Sequence, residues 1–374
     1  MRRPAVFVLY RRSKFRRDAL LEPVGAGARY SLYGLDELAA AGFPVAHNLE
    51  PGREAGAASR AAGAVLDRIV RGSGGYSGDF ATVLACRRPL NDADVVFSTV
   101  DTVGIPLTLL AGRGLIRTPI VYAAIGFPER LAQLRSARGH RTFVDAYRRL
   151  HTIVAYGAGE VDALRDWLGE GSPSVVFVPF GVDPTYFAPQ PDAIVDTDVV
   201  SIGADPRRDH ALFLALAQAR PEWSYRLVLA SDVARSLGPV PQNVAIEVDV
   251  PFDRVREQLA SARAVVLPVR DNSYSGATTV LLQAMATARP VVVSRTAAIV
   301  TGYHLEDGVN CRLVPPGSLE ALEEAVSAVL SDDDRAASLG LRARETVERH
   351  LTWSRYTESI SALLQAAARP GVPA

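Results

Sequence analysis

Residues 273–294 (SYSGATTVLLQAMATARPVVVS) constrain the fold of this chain more than any other segment. A turn of serine, glycine and threonine leads directly into an apolar helix, and a short strand of valines follows at 291–294. A helix that leads into a buried strand in this way is typical of a parallel α/β sheet, where the turn before the helix points backbone N–H groups at a phosphate. The segment therefore predicts both a fold class and an anion site.

The same alternation of apolar strand and amphipathic helix runs through the whole chain. Strands are predicted at 5–10, 44–49, 94–100, 119–125, 152–157 and 175–181, and again at 199–203, 225–230, 243–248, 264–269 and 291–294. Helical patterns lie between them, for example at 31–42, 103–114 and 159–169. This rhythm predicts an α/β protein with parallel sheets and right-handed crossovers.

The length of 374 residues favours two domains rather than one core. Residues 183–198 are rich in proline and aspartate, show no periodicity, and form the expected linker. We therefore expect two doubly wound, Rossmann-like domains facing a central cleft, with boundaries at 1–182 and 183–350, and a terminal helix at 351–374 that crosses back to the first domain. Residues 51–79, rich in glycine, alanine and serine, are expected to be part helix and part loop. The loop is either a mobile functional loop on the acceptor side or an insertion without a function.

Charge is divided unevenly, although its sum is zero. Residues 1–150 hold 22 Arg/Lys and 13 Asp/Glu, a net +9, and residues 151–374 hold 19 and 28, a net −9. A basic first half permits an anionic acceptor or peripheral contact with an anionic membrane, and equally permits ordinary solvated charge. The two cysteines lack metal-type spacing, and no apolar run reaches the ~18 residues that span a bilayer, so we expect a cytoplasmic protein without a structural metal.

The 273–294 segment resembles the donor-sugar motif of the family-4 retaining glycosyltransferases, which have the GT-B fold. That motif reads roughly Glu-x-Phe-Gly-x-x-x-x-Glu-Ala-Met-Ala-x-Gly-x-Pro-Val-Val, and here Ser275 and Gln283 occupy the two acidic positions. Further segments resemble the family at 25–45, 178–189, 260–269, 305–326 and 351–360. Together they cover nearly the whole chain and are strongest after residue 175.

The resemblance implies metal-independent transfer of a sugar from a nucleotide diphosphate to a hydroxyl, with retention of configuration. The leaving diphosphate would be stabilised by the helix N-terminus at Gly276, Ala277, Thr278 and Thr279. A structural alternative for this turn is an ordinary serine cap. After Gly203, the family carries an arginine where Ala204 stands, and a lysine where Arg208, with Arg207 beside it, can grip phosphate instead. A solvated pair of arginines in a turn is the alternative there.

The resemblance implies further contacts with the ribose, the sugar, the base and the phosphate of the donor. Gln283 would bond the ribose, since an amide oxygen accepts as a carboxylate does. Ser275 removes the usual carboxylate contact with the sugar ring, which would suit a modified or deoxy sugar. The backbone at Val250 and Pro251 would hold the base, and the loop at Gly25 and Gly27 would approach the donor phosphate.

The sequence permits more than one donor nucleotide, acceptor and function. UDP is the commonest donor nucleotide among similar enzymes, and GDP and TDP are alternatives; the acceptor would be lipid-linked, a glycan or a small natural product, and no nucleic acid is expected. The family often has a histidine near 119–128, which is absent here, so Asp101 and Glu129 are candidates for acceptor contact. A nucleotide-sugar 2-epimerase and a non-catalytic nucleotide-binding homologue are the alternative functions.

Overall fold

The computed structural model describes residues 2–131, 134, 136–203, 205, 207–272 and 276–368. Contacts divide the chain into two units, one formed by Met1–Val178 with Thr357–Ala374 and the other by Pro179–Tyr356. None of the described helices is both long enough and apolar enough to span a bilayer.

The first unit contains a six-stranded sheet in which every pair of neighbours is parallel. Its strands are β1 (Val6–Leu9), β2 (Val45–His47), β3 (Val95–Ser98), β4 (Ile120–Ala124), β5 (Thr152–Ala155) and β6 (Ser174–Phe177). They lie in the order β2-β1-β3-β4-β5-β6. The residues of β1, β3, β4 and β5 are buried throughout, because helices cover both faces of such a sheet. This confirms the predicted parallel α/β fold.

The helices of the first unit fill the crossovers between these strands. They are α1 (Lys14–Leu21), α2 (Leu35–Ala40), α3 (Ala57–Gly72), α4 (Phe80–Ala85), α5 (Arg87–Asp92), α6 (Asp101–Gly112), α7 (Phe127–Leu131), α8 (Ala137–Tyr147) and α9 (Ala158–Leu168). Helix α6 is buried along most of its length, and Gly104 within it packs so closely on Tyr122 that an added Cβ would lie 1.8 Å from the ring.

Two helical predictions in the first unit need qualification. The helix expected at 31–42 is broken into a 3₁₀ turn, Gly27–Leu32, and α2. Tyr33 and Gly34 separate the two with φ angles of 52° and 89°, which an α-helix cannot accommodate. Within the small-residue stretch 51–79, α3 takes up sixteen residues, and Gly63 allows it to approach α4, since a Cβ there would lie 2.8 Å from the Ala81 nitrogen.

The second unit repeats the architecture with its own sheet. Its strands are β7 (Thr197–Ile202), β8 (Tyr225–Leu229), β9 (Val244–Val248), β10 (Ala262–Leu267), β11 (Val291–Ser294) and β12 (Arg312–Val314). All neighbours are parallel, in the order β12-β11-β10-β7-β8-β9. Strand β12 was not predicted, because three residues beginning with an arginine carry almost no strand signal.

The helices of the second unit are α10 (His210–Ala219), α11 (Ser231–Ala234), α12 (Phe252–Ala260), α13 (Thr278–Ala286), α14 (Ala297–Val300), α15 (Leu319–Leu330) and α16 (Asp333–His350). The last helix, α17 (Trp353–Ala367), begins in the second unit and continues in the first. Residues 183–198, the expected linker, belong by their contacts to the second unit, where Phe187 is buried against Phe252.

Candidate functional site

The turn after the central strand of the second unit has a backbone that requires glycine. Strand β7 ends at Ile202, and the next residue, Gly203, has a φ of 141°, which side chains other than that of glycine rarely tolerate. A Cβ at Gly203 would also lie 3.4 Å from Nη1 of Arg208. The guanidinium therefore packs against the glycine backbone at the carboxyl end of β7.

Arg208 is a buried cation. Its side chain is 2% exposed, and its Nη2 donates a hydrogen bond of 2.9 Å to Oγ of Ser201. Among the described residues, its Nε has no hydrogen-bond partner and the guanidinium forms no ion pair. Burial lowers the pKa of Arg208 to about 10, with Asp205 acting in the opposite direction. The group is charged at neutral pH, so a buried positive charge without an ion-pair partner among the described residues lies here, and an anion would stabilise it.

Main-chain hydrogen bonds hold this arginine turn against the segment that follows β10. The Arg270 N–H donates to the Arg207 carbonyl over 2.8 Å, and the Asp209 N–H donates to the Pro268 carbonyl over 2.9 Å. Arg208 and Val269 form an antiparallel bridge between the two. The position of the turn is therefore set by backbone contacts between segments about 60 residues apart in sequence.

The beginning of α13 lies beside the same turn. A Cβ added at Gly276 would lie 3.1 Å from Oδ1 of Asp205 and 3.6 Å from Cβ of Arg207. Helix α13 begins at Thr278 after Ala277, whose side chain cannot cap the helix. The N-cap residue therefore leaves the first-turn N–H groups, with their partial positive charge, uncapped by its own side chain, and Ser275, the serine nearest this turn, lies outside the described residues.

Gln283 lies farther along α13, among the buried residues Leu281, Leu282 and Met285. It is 4% exposed, and its side-chain amide makes no hydrogen bond with a described residue. Thr279, one turn earlier on the same side of the helix, is exposed. A buried amide without an internal partner is suited to hydrogen-bond a ligand.

Val250 and Pro251 follow β9, the outermost strand of the sheet. Because the strands are parallel, these residues lie at the same carboxyl end of the sheet as Gly203. Asp249 precedes them with a φ of 50°, and its carboxylate accepts a hydrogen bond from the Ser231 N–H over 3.1 Å. Strand β8 separates β9 from β7, which places the two strand ends about 10 Å apart.

The remaining predicted donor residues lie elsewhere. Gly25 and Gly27 belong to the first unit, before and at the start of the 3₁₀ turn. Gly25 is exposed with a φ of 92°, and Gly27 is buried. Ser275 and Ala204 lie outside the described residues. The structure thus brings together Gly203, the two arginines and the start of α13, with Gln283 on the same helix.

His210 was not singled out from the sequence, although it is two residues from Arg208. It begins α10, and its Nε2 is buried without a partner in the described structure. Burial, together with the charge of Arg208, lowers the pKa of His210 to about 4. The imidazole is neutral at physiological pH and adds no charge to the site. Among the described residues, no three His, Cys, Asp or Glu side chains are grouped closely enough to hold a metal ion.

Asp101, proposed from the sequence for acceptor contact, is instead an internal group of the first unit. It is 2% exposed, accepts hydrogen bonds from the Tyr122 hydroxyl (2.5 Å) and the Ile125 N–H (3.0 Å), and pairs with Nε of Arg130 over 3.0 Å. Burial raises the pKa of Asp101 to about 6, against the effect of Arg130. Oδ1 accepts both hydrogen bonds and Oδ2 faces Arg130 without a hydrogen-bond partner among the described residues, so the carboxylate links the strand ends within the first unit. The side chain of Glu129 lies outside the described residues.

Glu160 is a second buried carboxyl group at the same strand ends. It accepts hydrogen bonds from the N–H groups of Gly157 (2.9 Å) and Gly126 (3.3 Å). Burial raises the pKa of Glu160 to about 8, and these backbone donors oppose the shift. A glutamate at the first turn of a helix gives the sequence signal of a cap, but its complete burial depends on tertiary packing.

Comparison with known proteins shows which proteins this chain is similar to. Residues 199–332 match the family described as glycosyl transferases group 1. An exopolysaccharide phosphotransferase of Streptomyces coelicolor is 29% identical over 230 residues. That match covers 58% of this chain and 23% of the relative, so the chain spans less than a quarter of its length.

Solved structures with the same fold cover almost the whole chain. Sucrose-phosphate synthase of Thermosynechococcus elongatus matches 97% of this chain and 99% of its own, with a TM-score of 0.73 and 17% identity. HepE of Anabaena, solved with UDP and glucose, matches 97% and 100%, with a TM-score of 0.70 and 17% identity. At these identities the likeness shows the fold. Residues 199–332 therefore match the glycosyl transferases group 1 family, and the chain as a whole has the two-sheet GT-B fold.

Proposed function

We propose that the chain transfers a sugar from a nucleotide diphosphate to an acceptor hydroxyl, with retention at the anomeric carbon and without a metal ion. One observation carries the proposal: Arg208 is a buried cation with no carboxylate partner in the described structure, and its turn contacts the start of α13. Two sources of positive potential thus lie at one sheet edge, where parallel α/β folds bind ligands. A diphosphate is the anion that fits both the charge and the family.

The residues present suit the stabilisation of a leaving group. When the bond between the anomeric carbon and the diphosphate oxygen breaks, its electron pair stays on the oxygen and negative charge grows there. Arg208 and the backbone N–H groups at 276–279 would stabilise this charge, and a preorganised site does so at little reorganisation cost. The acceptor oxygen then bonds to the anomeric carbon from the same face, and its proton passes to the leaving phosphate oxygen.

The same mechanism explains why the chain can dispense with a protein base. Asp101 and Glu160, the buried carboxyl groups found in the first unit, are engaged with internal groups: Asp101 with Tyr122, Ile125 and Arg130, and Glu160 with two backbone N–H groups. A leaving phosphate that accepts the proton itself makes such a base unnecessary. A nucleotide-sugar 2-epimerase, in contrast, needs acid and base side chains in contact with the sugar.

We propose UDP as the donor nucleotide. The support comes from HepE, a solved structure of the same fold, which was obtained with UDP and with UDP-glucose. In the second unit, the end of β9 lies about 10 Å from the end of β7, a distance suited to a nucleoside attached to a diphosphate bound at Arg208. The buried amide of Gln283 would then hydrogen-bond the ribose.

For the acceptor we propose a hydroxyl on a lipid-linked sugar, a glycan or a small natural product. The net charge of +9 over residues 1–150 favours an anionic acceptor or an anionic membrane next to it. Neither alternative depends on the donor site, so the two halves of the proposal can be tested separately.

Thermal stability in the presence of UDP, GDP, ADP, TDP and CMP tests the donor site. A nucleotide at about 100 times its Kd should stabilise the fold by roughly 2.7 kcal/mol. We expect this shift with UDP, and its loss in Arg208→Ala but not in Arg342→Ala, an exposed arginine on α16 that serves as the matched control. A shift that persists in Arg208→Ala would remove Arg208 from the site.

Turnover then separates the possible functions. Release of UDP from UDP-glucose, with an α-linked product identified by NMR, supports retaining transfer. A β-linked product would overturn retention, and a 2-epimer of the donor would show the epimerase. Nucleotide binding without turnover, tested over a panel of acceptors, would support a non-catalytic homologue.

A further inference from the structure

Helix α3 presents an apolar stripe on the outside of the first unit. Val65 and Ile69, one turn apart, are 60% and 61% exposed, and Ala58, Ala61 and Ala62 on the same side of the helix are also exposed. The opposite side of α3 packs inward through Leu66 and Val70. The helix is therefore well anchored, while its outer stripe has no covering among the described residues.

An apolar cavity opens beside this stripe. It has a volume of about 480 Å³ and lies between α3, α4, α6 and α8. Its apolar walls include Ile69 and Val70 from α3, Phe80 from α4, Leu110 from α6 and Phe143 from α8. Because Ile69 both lines the cavity and lies on the stripe, the two form one continuous surface, which we call the α3 face.

The α3 face is surrounded by positive charge. Arg113 and Arg138 are at the rim of the cavity, which no acidic residue lines among those described. Arg68 lies next to the apolar stripe on α3. All three arginines are exposed, and none forms an ion pair with a described residue. An unpaired arginine next to exposed aliphatic side chains matches the chemistry of a lipid phosphate above acyl chains.

We propose that the α3 face docks on an anionic phospholipid surface. Val65 and Ile69 enter the boundary between head groups and acyl chains, the cavity takes up an apolar chain, and the arginines pair with lipid phosphates. A symmetric contact between two copies of the α3 face is disfavoured, since it would bring like-charged arginines together. The proposal names a surface for the membrane contact that the basic residues 1–150 permit, and it does not depend on sugar transfer.

Vesicle co-sedimentation of the full chain tests this proposal. We expect binding to vesicles of phosphatidylcholine mixed with phosphatidylglycerol, and little binding to phosphatidylcholine alone. The double variant Val65→Ser with Ile69→Ser should lower the partition coefficient about tenfold, from the loss of buried apolar area. Leu341→Ser, at a side chain 63% exposed on α16 of the second unit, is the matched control and should bind as the unsubstituted protein does.

Charge is tested by Arg68→Gln with Arg138→Gln. This variant should bind the mixed vesicles more weakly, and its binding should respond less to added salt. All of these side chains are exposed, so melting temperatures should stay close to that of the unsubstituted chain and show that the variants are folded. The thermal shift with UDP should also persist, which separates failure of this proposal from failure of the donor site.

Three results would overturn the proposal. The first is equal binding to the neutral and the anionic vesicles, or no binding to either. The second is unchanged binding by the Val65 and Ile69 variant. The third is a dimer, measured by light scattering after size exclusion, that the same variant dissociates while vesicles fail to compete; the α3 face would then be an interface between two copies of this chain.

Discussion

Replacing Arg208 by methionine should make the ligand-free protein more stable while abolishing its stabilisation by UDP. Burial lowers the pKa of Arg208 from the usual arginine range to about 10, and at about 1.4 kcal/mol for each factor of ten the buried charge costs the folded protein roughly 3 kcal/mol. Methionine has a similar length and no charge. Its introduction removes that cost, and it also removes the hydrogen bond to Ser201, worth about 1–3 kcal/mol. The expected net gain is about 0–2 kcal/mol.

The pH dependence gives the sign of this effect independently. A base whose pKa is lower in the folded state than in the unfolded state binds fewer protons when folded, so stability rises with pH through that interval. For Arg208 the interval runs upward from about 10 to the ordinary arginine pKa. The cost is therefore fully present at neutral pH, where the substitution is to be measured.

Urea unfolding at neutral pH, with and without UDP at about 100 times its Kd, provides the assay. The unsubstituted protein should gain roughly 2.7 kcal/mol from UDP and the variant nothing, so the order of stability of the two proteins reverses on adding ligand. If Arg208→Met instead lost about 2 kcal/mol or more without ligand and kept the full gain with UDP, the arginine would be a structural residue and our reasoning would be refuted.

Three further predictions concern other residues. Gln283→Leu should leave the free energy of unfolding within about 1 kcal/mol, because the surroundings are apolar, but weaken UDP binding about tenfold in calorimetry; unchanged affinity would contradict a ribose contact. Because burial raises the pKa of Glu160 to about 8, its contribution to stability is complete at pH 4 and is lost as the pH rises through 8. The urea midpoint of the unsubstituted protein should therefore fall between pH 5 and 9, and Glu160→Gln should make that fall smaller. An equal fall in both proteins would contradict this prediction. Gly104→Ala should lower the free energy of unfolding by more than about 3 kcal/mol, because the added methyl group clashes with Tyr122. Gly159→Ala in α9, where the space is open, should leave the stability unchanged or slightly raised. Equal melting temperatures for the two variants would be inconsistent with the packing described.

Most strands of the fold could be predicted because buried parallel strands are runs of apolar residues, as in β1 and β4. Strand β12 and the break in the helix expected at 31–42 could not be predicted. In β12 the strand is held by pairing with β11 rather than by its composition. At the break, Gly34 approaches Thr357, a residue more than 300 positions later in the sequence.

The candidate site was predictable where one segment carries the signal and unpredictable where distant segments meet. The turn at Gly203 and the start of α13 follow from local sequence. The burial of Arg208 does not, because an arginine in a polar turn usually lies in solvent, and its enclosure here depends on hydrogen bonds to the distant residues 268–270. Asp101 shows the reverse case: a carboxylate at a strand end suggested chemistry, but packing on Tyr122 made it structural.

The hydrogen bonds that join the arginine turn to the segment after β10 run between main-chain atoms, so side-chain replacement elsewhere in the domain does not remove them. Under the proposed function, anchoring of the phosphate is thereby separated from recognition of the sugar and the base. Positions such as Ser275 and Gln283 could then be varied in a library selected for new donors, while the proposed phosphate contacts stay the same in every member. A transferase built in this way could change its donor sugar without changing the residues that stabilise the leaving group.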